Sequence, residues 1–292
     1  MKPSCFIPVI VSSMLAGMLP NPAQGATLIL ADDYNVTGTG SGFALNTGVN
    51  SGINPPTTRL TGTAAGNLRY IKPAGTKADS AHTITSNKLA VARGADSSTL
   101  ALSAGTGAYD FSGVLGTLGA SPAEPAVYEI TVRVANTAAG SQRCSFAIST
   151  TAGTANSWSF GVQLYRASAT TDTFYTIQKR VSLGSSGQPA VVNLPITTTA
   201  PGSWGSEIPF LIRVTDAGAE TSTFSSRVQV SLDGGASWIY DTSTDTTDLP
   251  NGWRFDGAGR YFLWDVAGSA GPVTYDDFSV TWISGPEPKP RT

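Results

Sequence analysis

Cysteine, histidine and charge are all scarce in this 292-residue chain, and each scarcity excludes something. There are two cysteines, Cys5 and Cys144, and one histidine, His82. Cys5 falls in an N-terminal leader, so Cys144 stands alone in the mature chain. A stabilising intrachain disulfide and a cysteine metal cluster are both ruled out. Cys144 reads as a small buried residue on a strand. A Ser–His–Asp hydrolase would have to rest on His82, in Ser80-Ala81-His82-Thr83, and no Gly-x-Ser-x-Gly elbow accompanies it. Zinc catalysis lacks ligands for the same reason. Charged residues make up 13 % of the chain, against roughly 25 % in an average soluble domain. The net charge is -2, and no lysine–arginine block exists, so the cationic surface that nucleic acids require is missing. Glutamate is limited to Glu124, Glu129, Glu207, Glu220 and Glu287. Helical periodicity is missing too: no segment repeats its apolar residues every 3.6 positions in a convincing way.

What the sequence does contain is two-residue alternation. Val127–Val134 places Tyr128, Ile130, Val132 and Val134 on one phase, with Glu129, Thr131 and Arg133 on the other. Ser157–Arg166, Ile208–Thr215, Arg227–Leu232 and Asp277–Ile283 alternate in the same way. This is the pattern of antiparallel strands with one face on a core and one in water. Weaker strand segments, such as Thr27–Val36 and Tyr261–Val266, bring the expected number to roughly a dozen or more, separated by turn clusters. With 32 glycines and 18 prolines, frequent turns are expected. The fold class predicted is all-β, an antiparallel β-sandwich over residues 26–284. Thr37–Asn67, rich in Gly, Thr and Asn, reads as a long exposed loop crossing it.

The chain ends are predicted to lie outside the sandwich. Lys2, the apolar run Phe6–Leu19 and the small residues around Ala23-Gln24-Gly25 form a secretory signal peptide, residues 1–25, cut before Ala26. The apolar run is shorter than the about 20 residues a bilayer span needs, so no membrane span is expected after cleavage. The mature chain would carry a net charge of -3, with Lys2 removed from the -2 of the full chain. Residues 285–292 form a proline-rich disordered tail. Its Pro286-Glu287-Pro288 lacks the membrane segment and basic end of a Pro-Glu-Pro sorting signal.

Two short motifs carry resemblances. Asp32-Asp33-Tyr34-Asn35 near the start echoes Asp276-Asp277-Phe278-Ser279-Val280 near the end, as if the first and last strands lay side by side. This resembles the concanavalin A-like (laminin G-like) jelly-roll modules of exported bacterial proteins, and it implies a jelly-roll fold. Such folds serve sugar-binding modules, glycoside hydrolases, polysaccharide lyases and adhesins. The Glu-x-Asp-x-x-Glu signature of jelly-roll glucanases is absent. Ser231-Leu232-Asp233-Gly234-Gly235-Ala236-Ser237-Trp238 is similar to the Asp-box, a hairpin stabiliser, with Ser237 where Thr is usual. One copy implies a structural turn and no sialidase activity.

The candidate ligand residues share the polar phase of their strands. They are Arg133, Gln163, Tyr165, Arg213, Arg227 and Gln229, with Glu129 among them. Were their strands neighbours, they would form one polar face suited to an anionic or neutral glycan. Trp204, Trp253 and Tyr240 lie near turn residues and are the aromatics best placed to stack on sugar rings. Asp32, Asp33, Asp276 and Asp277 offer oxygen ligands for a structural calcium if the terminal strands pair, although neighbours on a strand point to opposite faces. No other cofactor is expected. The favoured reading is an extracellular, non-catalytic carbohydrate-binding or surface-interaction module with a polysaccharide or cell-surface glycan as partner. The alternatives are a polysaccharide-active lyase or glycoside hydrolase, and a structural envelope protein.

Overall fold

In the computed structural model the residues described are 25–34, 43–44, 61–62, 68–71, 82–92, 98–104, 124–136, 142–149, 158–166, 176–182, 189–193, 206–216, 227–242, 261–268 and 272–286. All regular structure among them is β-strand. A nine-stranded antiparallel sheet contains β1 (Thr27–Asp32), β2 (Phe43–Ala44), β4 (His82–Thr85), β5 (Lys88–Ala92), β7 (Ala126–Asn136), β12 (Ile208–Asp216), β13 (Arg227–Ser231), β14 (Tyr240–Asp241) and β16 (Pro272–Ser284). A seven-stranded sheet contains β3 (Leu68–Ile71), β6 (Ser98–Ala104), β8 (Gln142–Ser149), β9 (Trp158–Arg166), β10 (Thr176–Ser182), β11 (Pro189–Asn193) and β15 (Tyr261–Gly268). Their orders are β14-β13-β12-β7-β16-β5-β4-β2 and β11-β10-β9-β8-β15-β6-β3, with β1 added on β16.

The chain nests as a rolled ribbon. β16 lies between β5 and β7 in one sheet, and β15 lies between β6 and β8 in the other. Each run from one sheet to the next, β5–β6, β7–β8 and β15–β16, is thus flanked by a run in the opposite sense. That is jelly-roll winding, with all pairings antiparallel. The terminal strands pair as expected: Ala31 stands opposite Ser279 and Asp32 opposite Phe278. The segment read as one long loop includes strand β2, which pairs β4 through Phe43↔Ile84. A two-residue strand is too short for its alternation to register in the sequence.

The predicted alternation becomes burial. On β7, Tyr128, Ile130, Val132 and Val134 are buried, whereas Arg133 is exposed. On β12, Ile208, Phe210, Ile212 and Val214 are buried. One hydrophobic cluster draws on both sheets, from Ile29 to Trp282. Its centre is aromatic: Phe146 and Trp264 of the seven-stranded sheet meet Phe278 of the other at centroid distances of 5.7 and 5.1 Å. The Trp264–Phe278 pair is edge-to-face, and such a pair adds about 0.5–1.5 kcal/mol beyond area burial. Cys144 is buried within the cluster.

β16 changes phase midway. Val273 and Tyr275 are buried, and so are Phe278, Val280 and Trp282. Odd positions face the core before residue 276 and even positions after it. The pairing with β7 slips between Asp276 and Ser279, and Asp277 takes a left-handed φ of 49°. This is a β-bulge, which absorbs one extra residue and re-aims the side chains around it.

Candidate functional site

The candidate residues separate onto two faces, because a polar phase fixes which side of a strand a residue takes and not which sheet the strand joins. Glu129, Arg133, Arg213, Arg227 and Gln229 belong to the nine-stranded sheet, and Gln163 and Tyr165 lie on β9 across the sandwich. The single face expected from the sequence is therefore corrected to two. Trp204 and Trp253 lie outside the described residues. Tyr240 is corrected from an exposed platform to a core residue: it is 7 % exposed and stacks on Phe160 at 5.9 Å.

On the nine-stranded sheet the arginines are bound to carboxylates. Arg213 Nε donates to Glu129 Oε1 at 2.9 Å, and its guanidinium lies 4.6 Å over the Trp238 ring. Arg227 Nε donates to Asp241 Oδ1 at 2.8 Å, and Gln229 Nε2 donates to Asp241 Oδ2 at 3.1 Å. Arg133 Nε meets Asp277 Oδ2 at 2.7 Å and Glu207 at 4.0 Å. Lys88 completes the group by bonding Glu207 and approaching Asp276 Oδ2 at 3.3 Å. Its ammonium is held above its usual pKa, chiefly by the bond to Glu207. Burial pushes the Asp276 carboxyl upward and outweighs the hydrogen bonds from the Asp277 amide and Lys88.

The bulge explains why Asp276 and Asp277 join one network although adjacent strand residues normally diverge. It also separates them from Asp32. That residue is fully buried and accepts a 2.8 Å bond from the Tyr34 amide, while Asp33 is exposed. The four aspartates offered as calcium ligands thus face different surroundings, two of them toward cations. Among the described residues no group of three or more His, Cys, Asp or Glu is placed to hold a metal.

The Asp-box forms its turn as read. Asp233 Oδ1 accepts from the Ser237 amide at 2.8 Å and from Ser231 Oγ at 2.7 Å, and Ser231 Oγ accepts from the Gly235 amide at 2.8 Å. Gly235 needs its hydrogen side chain: φ is 94°, and a Cβ would lie 3.3 Å from Leu211 Cδ2. The bonds from Ser237, then Ser231, hold the Asp233 carboxyl down at about 2 from 3.8. A depressed folded pKa contributes stability above the unfolded value that is lost as pH falls through the folded one. The turn is therefore expected to loosen between pH 3.8 and about 2. Amide exchange at Ser237 should rise in that window, and Asp233→Ala should raise it already at neutral pH. Unchanged exchange in the variant would rule out this role for Asp233.

The seven-stranded sheet differs in kind. On the side turned away from the shared core, Asp265, Ser145 and Gln163 stand in one cross-strand row through the pairs Asp265↔Ser145 and Ser145↔Gln163. They are 4 %, 1 % and 1 % exposed. Ser145 Oγ donates to Gln163 Oε1 at 3.3 Å. Buried polar groups away from the hydrophobic interior are the informative departure from an ordinary solvated sheet face. Leu263, Ala147 and Gly161 form the next row, and all three are buried. Tyr165 is half-buried, and the register sets it opposite Arg143. Backbone pairing gives Arg69, Arg143 and Arg180 the same phase as the polar row. Across all seven strands the basic residues are Arg69, Arg143, Arg166, Lys179 and Arg180, and the one acidic residue is Asp265. The nine-stranded sheet has the opposite bias: four basic residues, Lys88, Arg133, Arg213 and Arg227, against six acidic ones, Asp32, Glu129, Asp216, Asp241, Asp276 and Asp277. Sequence reasoning singled out Gln163 and Tyr165 and did not single out Ser145 and Asp265. The short alternation of Arg143, Ser145, Ala147 and Ser149 against Cys144, Phe146 and Ile148 was the signal available.

No protein-family model and no curated protein sequence matches the chain. Among solved structures it is similar to alginate lyase Aly36B at 12 % identity and a TM-score of 0.40, over 89 % of this chain and 97 % of that one. It is similar to an endo-β-1,3-glucanase from Pyrococcus furiosus at 11 % identity and 0.48, over 88 % and 95 %. It is similar to the carbohydrate recognition domain of Emp46p at 10 % identity and 0.42, over 79 % and 95 %. Carbohydrate-binding domains and polysaccharide-degrading enzymes thus both occur among these structures, and the likeness is one of fold.

Proposed function

We propose that the protein is an exported, non-catalytic module that binds an anionic polysaccharide across the outer face of its seven-stranded sheet. The observation that supports this most is the buried row Asp265–Ser145–Gln163 on a face turned away from the core, whose phase Arg69, Arg143 and Arg180 share. Strands lie about 4.8 Å apart, so the row runs roughly 10 Å across three adjacent strands. In this reading the row is the polar floor of the face, and the ligand lies above it among the flanking arginines. A surplus of arginine favours carboxylated or sulfated sugars, which it binds through paired hydrogen bonds. Binding is favoured over hydrolysis by a count: two-carboxyl glycoside cleavage needs a second acid, and the seven strands contain Asp265 alone. A lyase is the second reading, favoured by one observation: Tyr165 stands opposite Arg143 and two residues from Gln163. In that reading Tyr165 would be the phenolic base, and Arg143 and Gln163 would neutralise a uronate carboxylate.

One experiment addresses both. The full chain is titrated with polygalacturonate, alginate and chondroitin sulfate, at low and high salt, while ultraviolet absorbance follows unsaturated ends. Binding is expected to weaken at least tenfold in the Arg143→Gln/Arg180→Gln variant and to fall with salt. No new absorbance is expected, and its appearance would establish the lyase reading instead. Failure to bind any of the three polymers at low salt rejects the proposal and leaves a structural role in the envelope.

A further inference from the structure

The nine-stranded sheet carries a recess that this function does not use. It has a volume of about 350 Å³ and opens on the outer face between the Asp277 bulge and the Asp-box turn, with Asp277 from one and Gly234 from the other in its lining. That volume lies at the small end of the roughly 300–1,000 Å³ found for ligand sites. Pro209 and Leu211 give it apolar surface, and Glu129, Thr131, Arg133 and Asp277 give it polar walls. The register explains the gathering: Leu211 stands opposite Thr131, Pro209 opposite Arg133 and Arg213 opposite Glu129.

Both ends of the recess are built by irregular backbone. At one end the bulge holds Asp277, a non-glycine residue, in the left-handed region, and Thr131 Oγ1 donates to its carbonyl at 3.1 Å. At the other end the turn presses Gly235 toward Leu211. A plain strand at either place would leave a flat sheet surface.

We propose that this recess is a second binding site and that its ligand is one unit of an uncharged sugar chain. Charge is the deciding argument. Each carboxylate in the recess already faces a guanidinium, Glu129 to Arg213 and Asp277 to Arg133. An anionic ligand would meet those two carboxylates, and a cationic one would have to displace an arginine. A neutral polyol meets neither cost. Each ionised carboxylate has about four lone-pair sites, so oxygen positions remain to accept from sugar hydroxyls while the Arg133 guanidinium donates. The C–H face of a pyranose fits against Pro209 and Leu211. The inference does not rest on the function proposed above, since it uses the other sheet and an uncharged ligand.

The test is calorimetric titration of the full chain with four neutral hexasaccharides, of the laminari, cello, xylo and manno series. At least one is expected to bind. Asp277→Gly places a residue that tolerates φ 49° and removes the whole side chain with its bond to Arg133, so the fold should survive, as thermal melting would show. Its affinity is expected to fall at least tenfold. Pro209→Trp, at an exposed position on the lip, should abolish binding by filling the recess. Polygalacturonate affinity should stay the same in both variants, so loss there would count against the face on the other sheet and not against this recess. The proposal is overturned if no neutral hexasaccharide binds, or if both variants bind as the wild type does.

Discussion

Gly285→Ala is expected to destabilise the protein by roughly 2–5 kcal/mol, combining left-handed strain with a backbone collision. Gly285 follows the last strand with φ 97°, a conformation that L side chains rarely adopt. A Cβ there would lie 2.2 Å from the Pro125 carbonyl oxygen and 2.7 Å from Ala126 Cα. These are backbone atoms at the entry to β7 and cannot turn aside as a flexible side chain would. The position matters because β7 and β16 are central neighbours, and Ser284 pairs with Val127 just before it. Gly234→Ala provides the internal control. Its φ is 71°, but the space around it is open, so it should cost only about 1 kcal/mol. Chemical denaturation of the two variants separates strain from collision. Equal losses in both would show that the crossing at Pro125 yields, and the steric part of the argument would then be wrong.

The sandwich was legible because its strands obey a period of two wherever one face is buried. Val127–Val134 and Ile208–Thr215 each become a strand with the predicted phase inward. What alternation cannot state is which sheet a strand joins. Gln163 and Arg133 read alike, yet they occupy different faces of the molecule, because strand order decides it: β9 pairs with its sequence neighbours β8 and β10, and β7 pairs with the distant β12 and β16. The pairing of the terminal strands could be read from the Asp-Asp echo, whereas the fate of its carboxylates could not. Asp32 turns inward to cap the Tyr34 amide, and Asp276 and Asp277 share a side. The second of these facts was present in the sequence unused. Val273 and Tyr275 are odd, Phe278, Val280 and Trp282 are even, and one continuous strand can satisfy both only with an extra residue between them.

Charge was legible in total and hidden in distribution. A net charge of -2 describes a chain of little electrostatic character, and it excludes a cationic protein as a whole. Folding separates that small sum into a seven-stranded sheet rich in arginine and a nine-stranded sheet rich in carboxylate, through the order in which strands enter each sheet. On the nine-stranded side most of the charge is consumed locally, as in the Lys88–Glu207–Arg133–Asp277 chain. Exposed ion pairs of this kind contribute at most about 1 kcal/mol each. Their consequence lies in what they leave for a ligand to meet.

Among the described residues the two sheets are also joined through the core by the Tyr275 hydroxyl, and removing it gives the second large expected effect. Tyr275, on β16, is fully buried, and its hydroxyl lies 3.0 Å from both the Ser145 and the Asp265 carbonyl oxygens across the sandwich. Those two residues carry the polar row on the far side of the same strands. Burial raises the Tyr275 hydroxyl well above its ordinary value of 10.0. A raised folded pKa means that the stability is complete below the unfolded value and is lost as pH climbs toward the folded one. The protein should therefore lose stability above about pH 10, and Tyr275→Phe should reduce that alkaline loss. At neutral pH, Tyr275→Phe is expected to cost about 1–3 kcal/mol for a buried bond left unmade. Tyr275→Ala should cost roughly 3–5 kcal/mol, because the ring's cavity adds to the lost bond. If the phenol also fixes the backbone beneath Asp265 and Ser145, then Tyr275→Phe, while still folded, should weaken polygalacturonate binding severalfold. An alkaline unfolding midpoint identical in wild type and Tyr275→Phe would show that this hydroxyl does not govern the transition, and unchanged polygalacturonate affinity would restrict its role to stability.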